Sequence, residues 1–250
     1  GVQTCALPIY GAKTVSEPIS SVLQQDFFDF EYIIQDGEST DNTDEIIKRF
    51  SDPRIKYERK KDDGIYEAMN NAIARATGDI IAFLHSDDVY LNSNVLTQMN
   101  QLFLTKPVDA AYADLIYVDR FNVMKVIRQW KAGQYNKIKF LNGWMPPHPT
   151  FFVKRSVYLQ FGNFRLDLYY ASDYELMLRF LFKYNVAVDY LPQEIVRMRT
   201  GGMSNVSWGN RWKANREDKL AWKLNGLNPR FFTFLFKPLR KMLQFFVFSR

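Results

Sequence analysis

The chain has 250 residues, 47% hydrophobic and 24% charged, enough for one large domain with a sizeable core. Its single cysteine, Cys5, excludes a disulfide framework and a cysteine-based zinc site, and fits a reducing compartment. Net charge is +6, but residues 201–250 hold ten Lys/Arg against two acids while residues 1–200 hold 23 against 25. A near-neutral body excludes a general nucleic-acid binder, which needs basic grooves over its main fold.

The first residues lack a basic start and an unbroken apolar stretch, so no signal peptide is expected. Residues 13–25 read as an amphipathic helix with Val15, Ile19, Val22 and Leu23 on one face. Residues 31–35 read as a strand, followed by a polar turn at 36–41 and a helix at 43–50. A second short strand covers 55–58. The helix expected at 64–77 carries Ile65, Met69, Ala72, Ile73 and Ala76 at helical spacing, and Gly78 is placed to stop it. A strand at 79–84 follows. Alternating strands and helices predict an α/β fold with a mainly parallel sheet flanked by helices.

The second half differs. Residues 110–117 are strand-like, and 123–130 is a candidate partner strand. Pro146, Pro147 and Pro149 make 144–149 a loop rather than a helix. A short strand is expected at 150–153, then a helix at 173–184 with Leu176, Leu178, Phe180 and Leu181 apolar. The change near residue 100 reads as a nucleotide half joined to an acceptor half within one domain.

Chemistry is densest at residues 83–88. Ile80, Ile81, Phe83 and Leu84 run into two adjacent carboxylates, Asp87 and Asp88. A buried strand ending in acids puts them at the carboxyl edge of the sheet, where open α/β folds bind ligands. Such oxygen donors suit a hard divalent cation and the phosphates it carries. Taken alone, the pair serves equally well as a turn capping the next helix. Asp36 ends another strand and falls on the same edge if both strands are parallel, where it could meet a base or ribose. Neither Gly-x-Gly-x-x-Gly nor Gly-Lys-Ser/Thr is present, against a dinucleotide oxidoreductase or a P-loop nucleotidase. Carboxylates without phosphate-cradling glycines need a cation to neutralise phosphate.

Six motifs in order carry a resemblance. They are Glu31 to Thr43 (EYIIQDGESTDNT), Asp62 to Asn70 (DDGIYEAMN), Thr77-Gly78-Asp79, Phe83 to Asp88 (FLHSDD), Pro147 to Phe152 (PHPTFF) and Ala171 to Leu176 (ASDYEL). Over residues 11–205 the chain resembles family 2 glycosyltransferases, in particular bacterial exopolysaccharide and O-antigen transferases. The resemblance implies a GT-A fold, a nucleotide-sugar donor, a divalent cation (Mn2+ or Mg2+) and inversion at the anomeric carbon. It places Asp36 at the nucleoside, Asp62 near the base or ribose, Asp88 on the metal with Asp87 as a supporting contact, and Asp173 as catalytic base. The division is chemically sensible. An inverting transfer needs a carboxylate at the attacking hydroxyl and positive charge at the leaving diphosphate, on opposite faces of the sugar.

Plainer roles stand beside these. Asp173 could be only the N-cap or first-turn acid of its helix. His148 is either a satisfied structural histidine or a contact to diphosphate or acceptor. His85 is expected to pack beside the metal site, and Glu175 to point elsewhere. Tyr66 and Asn70 share a helix face and either line the pocket or pack in the core.

Residues 206–250 are expected to form a basic, aromatic tail. Its apolar residues, among them Phe231, Phe232, Phe234 and Phe236, are too interrupted by Lys237, Arg240 and Lys241 to span a bilayer. They fit an interfacial helix on anionic lipid, against the alternative of a helix packed on the core.

The chain departs from the family pattern twice. Residues 1–10 stand where relatives open with a β-strand, Pro8 cannot donate to a central ladder, and the segment resembles foreign sequence joined to a shortened gene. Lys60 replaces an acid two residues before Asp62. The expected protein is an inverting, metal-dependent glycosyltransferase, peripheral on the cytoplasmic face of the plasma membrane. Its acceptor would be a polyprenyl-linked or growing glycan. The rivals are a nucleotidyltransferase acting on sugar phosphates and a non-catalytic membrane-associated binding protein.

Overall fold

Two strands of the first half, β2 (Tyr32–Asp36) and β4 (Ile80–His85), are buried on both faces along almost their whole length. Such strands need helices above and below them. The computed structural model describes residues 2–7, 12–201 and 208–234, and supplies those helices. Successive residues of β4 point to opposite sides. Ile81 and Phe83 join the core on one face, while Ile80, Ala82 and Leu84 join the core on the other.

The remaining strands are β1 (Val2–Leu7), β3 (Ile55–Arg59), β5 (Val89–Tyr90), β6 (Ala110–Val118), β7 (Val126–Trp130), β8 (Phe152–Lys154) and β9 (Val188–Arg199). Among the described residues they form one nine-stranded sheet of order β3-β2-β1-β4-β8-β6-β9-β5, with β7 added on β6. β3, β2, β1 and β4 run parallel. β8 pairs antiparallel with both β4 and β6. Because β2 and β4 both run parallel to β1, Asp36 and the turn after His85 leave the sheet at the same edge, as the sequence implied.

The central place of β1 bears on the opening residues. Val2–Leu7 supplies the middle strand of the parallel half, with Cys5 in register with Ile33 and Phe83. The segment expected to be foreign therefore stands where the first strand belongs. Pro8 lies outside the described residues.

On one face lie α3 (Ile65–Arg75), α5 (Lys137–Leu141), α6 (Arg155–Phe161), α7 (Ser172–Met177) and α8 (Trp208–Leu224), which bury Met69, Phe140, Tyr158, Leu176 and Trp222. On the other lie α1 (Ser16–Leu23), α2 (Thr43–Lys48) and α4 (Val95–Thr105), which bury Ile19, Ile47 and Met99.

Several expectations need correction. Gly78 does not end α3 as a left-handed cap: Ala76 already turns extended, at φ −65° and ψ 128°. Glu31 accepts the N–H groups of Thr77 and Gly78 at 2.7 and 3.2 Å and draws the chain straight into β4. The proline-rich loop contains a short 3-10 turn, His148–Thr150, which Pro149 tolerates because an early-turn N–H needs no helical partner. The helix expected at 173–184 is α7 followed by a π-type helix, Leu178–Lys183.

The first part of the tail region is not free of the domain. Asp218, Ala221, Trp222 and Asn225 fall at helical spacing and are all buried, so that face of α8 packs with the domain. The Thr233 hydroxyl donates to the Leu141 carbonyl at 2.6 Å. Phe231 remains 84% exposed, and the apolar run from residue 235 onward lies outside the described residues.

Candidate functional site

Asp36 ends β2 and is fully buried. Its Oδ1 accepts the Ser39 N–H at 2.9 Å and the Ser39 hydroxyl at 2.5 Å, and its Oδ2 accepts the Tyr57 hydroxyl at 3.1 Å. The Arg59 Nε lies 3.8 Å from Oδ2. The carboxylate thus folds the loop after β2 back upon itself, an Asx-type turn at the sheet edge.

Asp62 lies against that loop. A Cβ at Gly37 would fall 2.6 Å from Asp62 Oδ2, so a larger residue there would have to push the Asp62 carboxylate aside. Asp62 Oδ1 accepts the Gly64 N–H at 3.1 Å. Burial raises the Asp62 pKa above the usual carboxylate range, and the charges of Glu67, Asp36 and Asp63 add to the rise. Lys60 is exposed, and its backbone N–H donates to the Asp36 carbonyl at 2.9 Å.

After β4 the chain turns sharply, with the Asp88 N–H donating to the His85 carbonyl at 3.1 Å. Asp87 is half-buried and Asp88 fully buried. Among the described residues, neither carboxylate oxygen of Asp88 has a hydrogen-bond partner. Burial, with the Asp87 charge beside it, pushes the Asp88 carboxyl well above its ordinary value, and Arg199 only partly offsets this. An orphaned buried carboxylate is costly, so such a group marks a place where something else belongs.

His148 and His85 meet at this turn, with ring centroids 5.8 Å apart. His148 is wedged between Phe83 and Phe164, at 5.9 and 5.7 Å. Burial drives its pKa down to about 3, and His85 adds to the drop. Burial likewise lowers His85, against the raising effect of Asp87 and Asp173. Both rings are therefore neutral near pH 7. Neither was expected to contact the other, although strand parity puts His85 on the same face as Phe83.

Asp173 occupies the first turn of α7 but is not its N-cap, which is Ala171 and has no side-chain cap of its own. Glu217 of α8 holds the entry to the helix instead, with Oε2 accepting the N–H groups of Tyr170 and Ala171 at 2.6 and 3.0 Å. The Trp222 Nε1–H donates to the Tyr174 hydroxyl at 2.9 Å, and the Asn225 amide donates to Glu175 at 2.9 Å. Glu175 points away from Asp173 into an ion pair with Arg179, as expected. Sequence reading missed α8 as the support of this helix, because charge counting hid its buried stripe.

The structure therefore brings the expected residues into two groups at one sheet edge. Asp36 and Asp62 interact across Gly37. Asp87, Asp88, Asp173, His85 and His148 share a second neighbourhood: Asp87 and Asp173 both act on His85, and Asp88 and Asp173 both act on buried Tyr117. Tyr117 and Arg199 were not anticipated. Among the described residues, no three His, Cys, Asp or Glu side chains cluster closely enough to cage a metal by themselves.

Comparison with known proteins identifies the family. The model of glycosyl transferase family 2 matches residues 4–160. An Escherichia coli UDP-Glc:alpha-D-GlcNAc-diphosphoundecaprenol beta-1,3-glucosyltransferase, WfgD, is 32% identical over 134 residues, covering 53% of this chain and 53% of that protein. A PGL/p-HBAD biosynthesis glycosyltransferase of Mycobacterium bovis is 26% identical over 192 residues, covering 75% of this chain and 72% of that one. The match thus spans about half the length of the first relative and about three quarters of the second. The crystal structure of S. aureus TarS 1-349 in complex with UDP-GlcNAc has a TM-score of 0.68 at 17% identity, covering 100% of this chain and 74% of that one. Mannosyltransferase PcManGT from Pyrobaculum calidifontis, in complex with GDP-Man and Mn2+, has a TM-score of 0.68 at 17% identity, covering 99% and 70%. These structural likenesses establish the GT-A fold. With the family match running from β1 into α6, the chain belongs to glycosyl transferase family 2.

Proposed function

We propose that the chain transfers one sugar, with inversion, from a nucleotide-sugar donor to a lipid-linked or growing glycan. The observation that carries this reading is the orphaned, buried Asp88 carboxylate, on the same sheet edge as Asp36 and in the same neighbourhood as Asp173. Family membership favours it over nucleotidyl transfer and over a non-catalytic binding role.

Asp36 and Asp62 frame the nucleoside pocket. Asp87 and His148 border the diphosphate and sugar. Asp88 has the donor chemistry for a hard divalent cation, since two buried carboxylate oxygens await a positive partner. A cation there, Mn2+ or Mg2+, would neutralise charge developing on the leaving diphosphate. Asp173 takes the proton of the acceptor hydroxyl as that oxygen bonds to the anomeric carbon. The bond to the diphosphate oxygen breaks, and its electrons leave with the nucleotide. The donor and cation in the PcManGT structure, and the diphosphoundecaprenol acceptor named for the Escherichia coli relative, support the same scheme.

Thermal stabilisation by UDP-Glc, UDP-GlcNAc and GDP-Man, each with and without Mn2+, tests it. A bound donor raises stability by RT ln(1 + [L]/Kd). One donor should stabilise the chain only with the cation, and Asp88→Ala should abolish that gain. Equal nucleotide affinity with and without Mn2+ in both proteins would remove the metal assignment.

No helix among the described residues is long and apolar enough to cross a membrane. Peripheral association with the inner face of the plasma membrane rests on the basic, apolar sequence of residues 235–250. Because Thr233 and Phe234 pack with the domain, the deletion that tests it begins at residue 235. Loss of binding to anionic vesicles is expected, and retained binding would place the contact elsewhere.

A further inference from the structure

Asp173 is held from the opposite half of the domain. The Tyr66 hydroxyl, on α3, donates to Asp173 Oδ1 at 3.3 Å. The same oxygen accepts the Tyr174 N–H at 2.8 Å. Both hydrogen bonds that this carboxylate accepts among the described residues thus fall on Oδ1, leaving Oδ2 to a substrate.

Tyr66 is itself braced. Its ring stacks on Phe164 with centroids 5.7 Å apart and planes 20° apart. One turn further along α3, Asn70 exchanges two hydrogen bonds with the Phe164 backbone, donating at 2.9 Å and accepting at 3.0 Å. Phe164 in turn packs on Phe83 and His148, at 5.5 and 5.7 Å. Burial, with the Asp173 charge next, raises the Tyr66 pKa well above its ordinary value, so the phenol stays a proton donor across the neutral range.

We infer that Tyr66 is a positioning residue for the base: its hydroxyl fixes Oδ1 of Asp173 and presents Oδ2 to the acceptor hydroxyl. The inference rests on the reading of Asp173 as base. It gives α3, which begins three residues after Asp62, a second task. The helix carries the geometry of the donor half across to the proton-accepting oxygen. Its hydrogen bond is long here, as such bonds often are before substrate closes the site.

Tyr66→Phe tests this in the full chain, because it keeps the ring stack and removes only the hydroxyl. Turnover is read as release of UDP from UDP-glucose with Mn2+, with water or lipid-linked N-acetylglucosamine diphosphate as acceptor. The inference predicts a kcat lower by about 10- to 100-fold with the donor KM little changed. Removing a donor to a carboxylate raises its pKa, so the acid limb of the kcat profile moves to higher pH. The Asp173 carboxyl carbon resonance in 13C-aspartate-labelled protein, assigned by its loss in Asp173→Asn, gives a readout that needs no donor. That resonance should move in Tyr66→Phe, because no hydroxyl then donates to Oδ1. An unchanged resonance overturns the inference, and so does an unchanged pH profile beside a kcat near that of the parent chain. Failure of the base reading is separate, since it would appear as turnover surviving in Asp173→Asn.

Discussion

Asp62 and Gly37 meet so closely that a Cβ at Gly37 would stand 2.6 Å from Asp62 Oδ2. That contact seals the Asp36 loop against the Asp62 loop. Gly37→Ala must move one of them, and the flexible end of Asp62 is what yields. The expected outcome is a fold close to the parent in stability but about tenfold weaker in donor nucleotide binding, a loss of about 1.4 kcal/mol. Calorimetric titration with UDP or GDP in the presence of Mn2+ measures it. Unchanged affinity would mean that Asp62 takes no part in the pocket.

Glu31 gives a pH signature. Burial opposes its charge, but hydrogen bonds from Lys56 and from the Thr77 backbone and hydroxyl outweigh it, so its pKa is lowered in the folded chain. A carboxyl with a depressed folded pKa contributes stability above its unfolded pKa, near 4.3, and loses it as pH falls through the folded value. Glu31→Gln should therefore lower the urea midpoint near pH 7, and the gap to the parent should narrow when measured again below the ordinary carboxylate range, under about pH 4. An equal gap at both pH values would assign the loss to packing.

Arg179 supports the turn of chain that leads to α7. It pairs with buried Glu175 at 3.0 Å and donates to the carbonyls of Phe161, Gly162 and Asn163. Arg179→Met strands the Glu175 charge and should cost about 3–5 kcal/mol in urea unfolding. Adding Glu175→Gln should recover part of it, because the stranded charge is then gone. A double variant no more stable than the single one would show that the carbonyl contacts carry the effect.

The parallel half was legible because its signals are local. Apolar runs such as Ile80 to Leu84 mark strands buried on both faces, and polar turns such as 36–41 mark where they stop. The acids at 36, 87 and 88 follow from that alone, since strands that share a direction share an edge. What the sequence did not disclose depends on distant partners. β9 mixes charged residues and Pro192 into a strand whose burial comes from its place between β6 and β5. α8 looks like a basic tail until Trp222 is seen against Tyr174. His85 and His148 are 63 positions apart, and only the antiparallel return through β8 brings them together. The hydrogen bond from Tyr66 to Asp173 spans 107 positions and crosses between the two halves.

Asp173→Asn tests the central claim most directly. The variant keeps the size of the side chain and its hydrogen bond from the Tyr174 N–H, but cannot take a proton from an acceptor hydroxyl. Donor affinity, measured by calorimetry with Mn2+, should stay within about twofold of the parent, while sugar transfer falls by about 100-fold or more. Turnover close to that of the parent chain would contradict the account and place the base elsewhere.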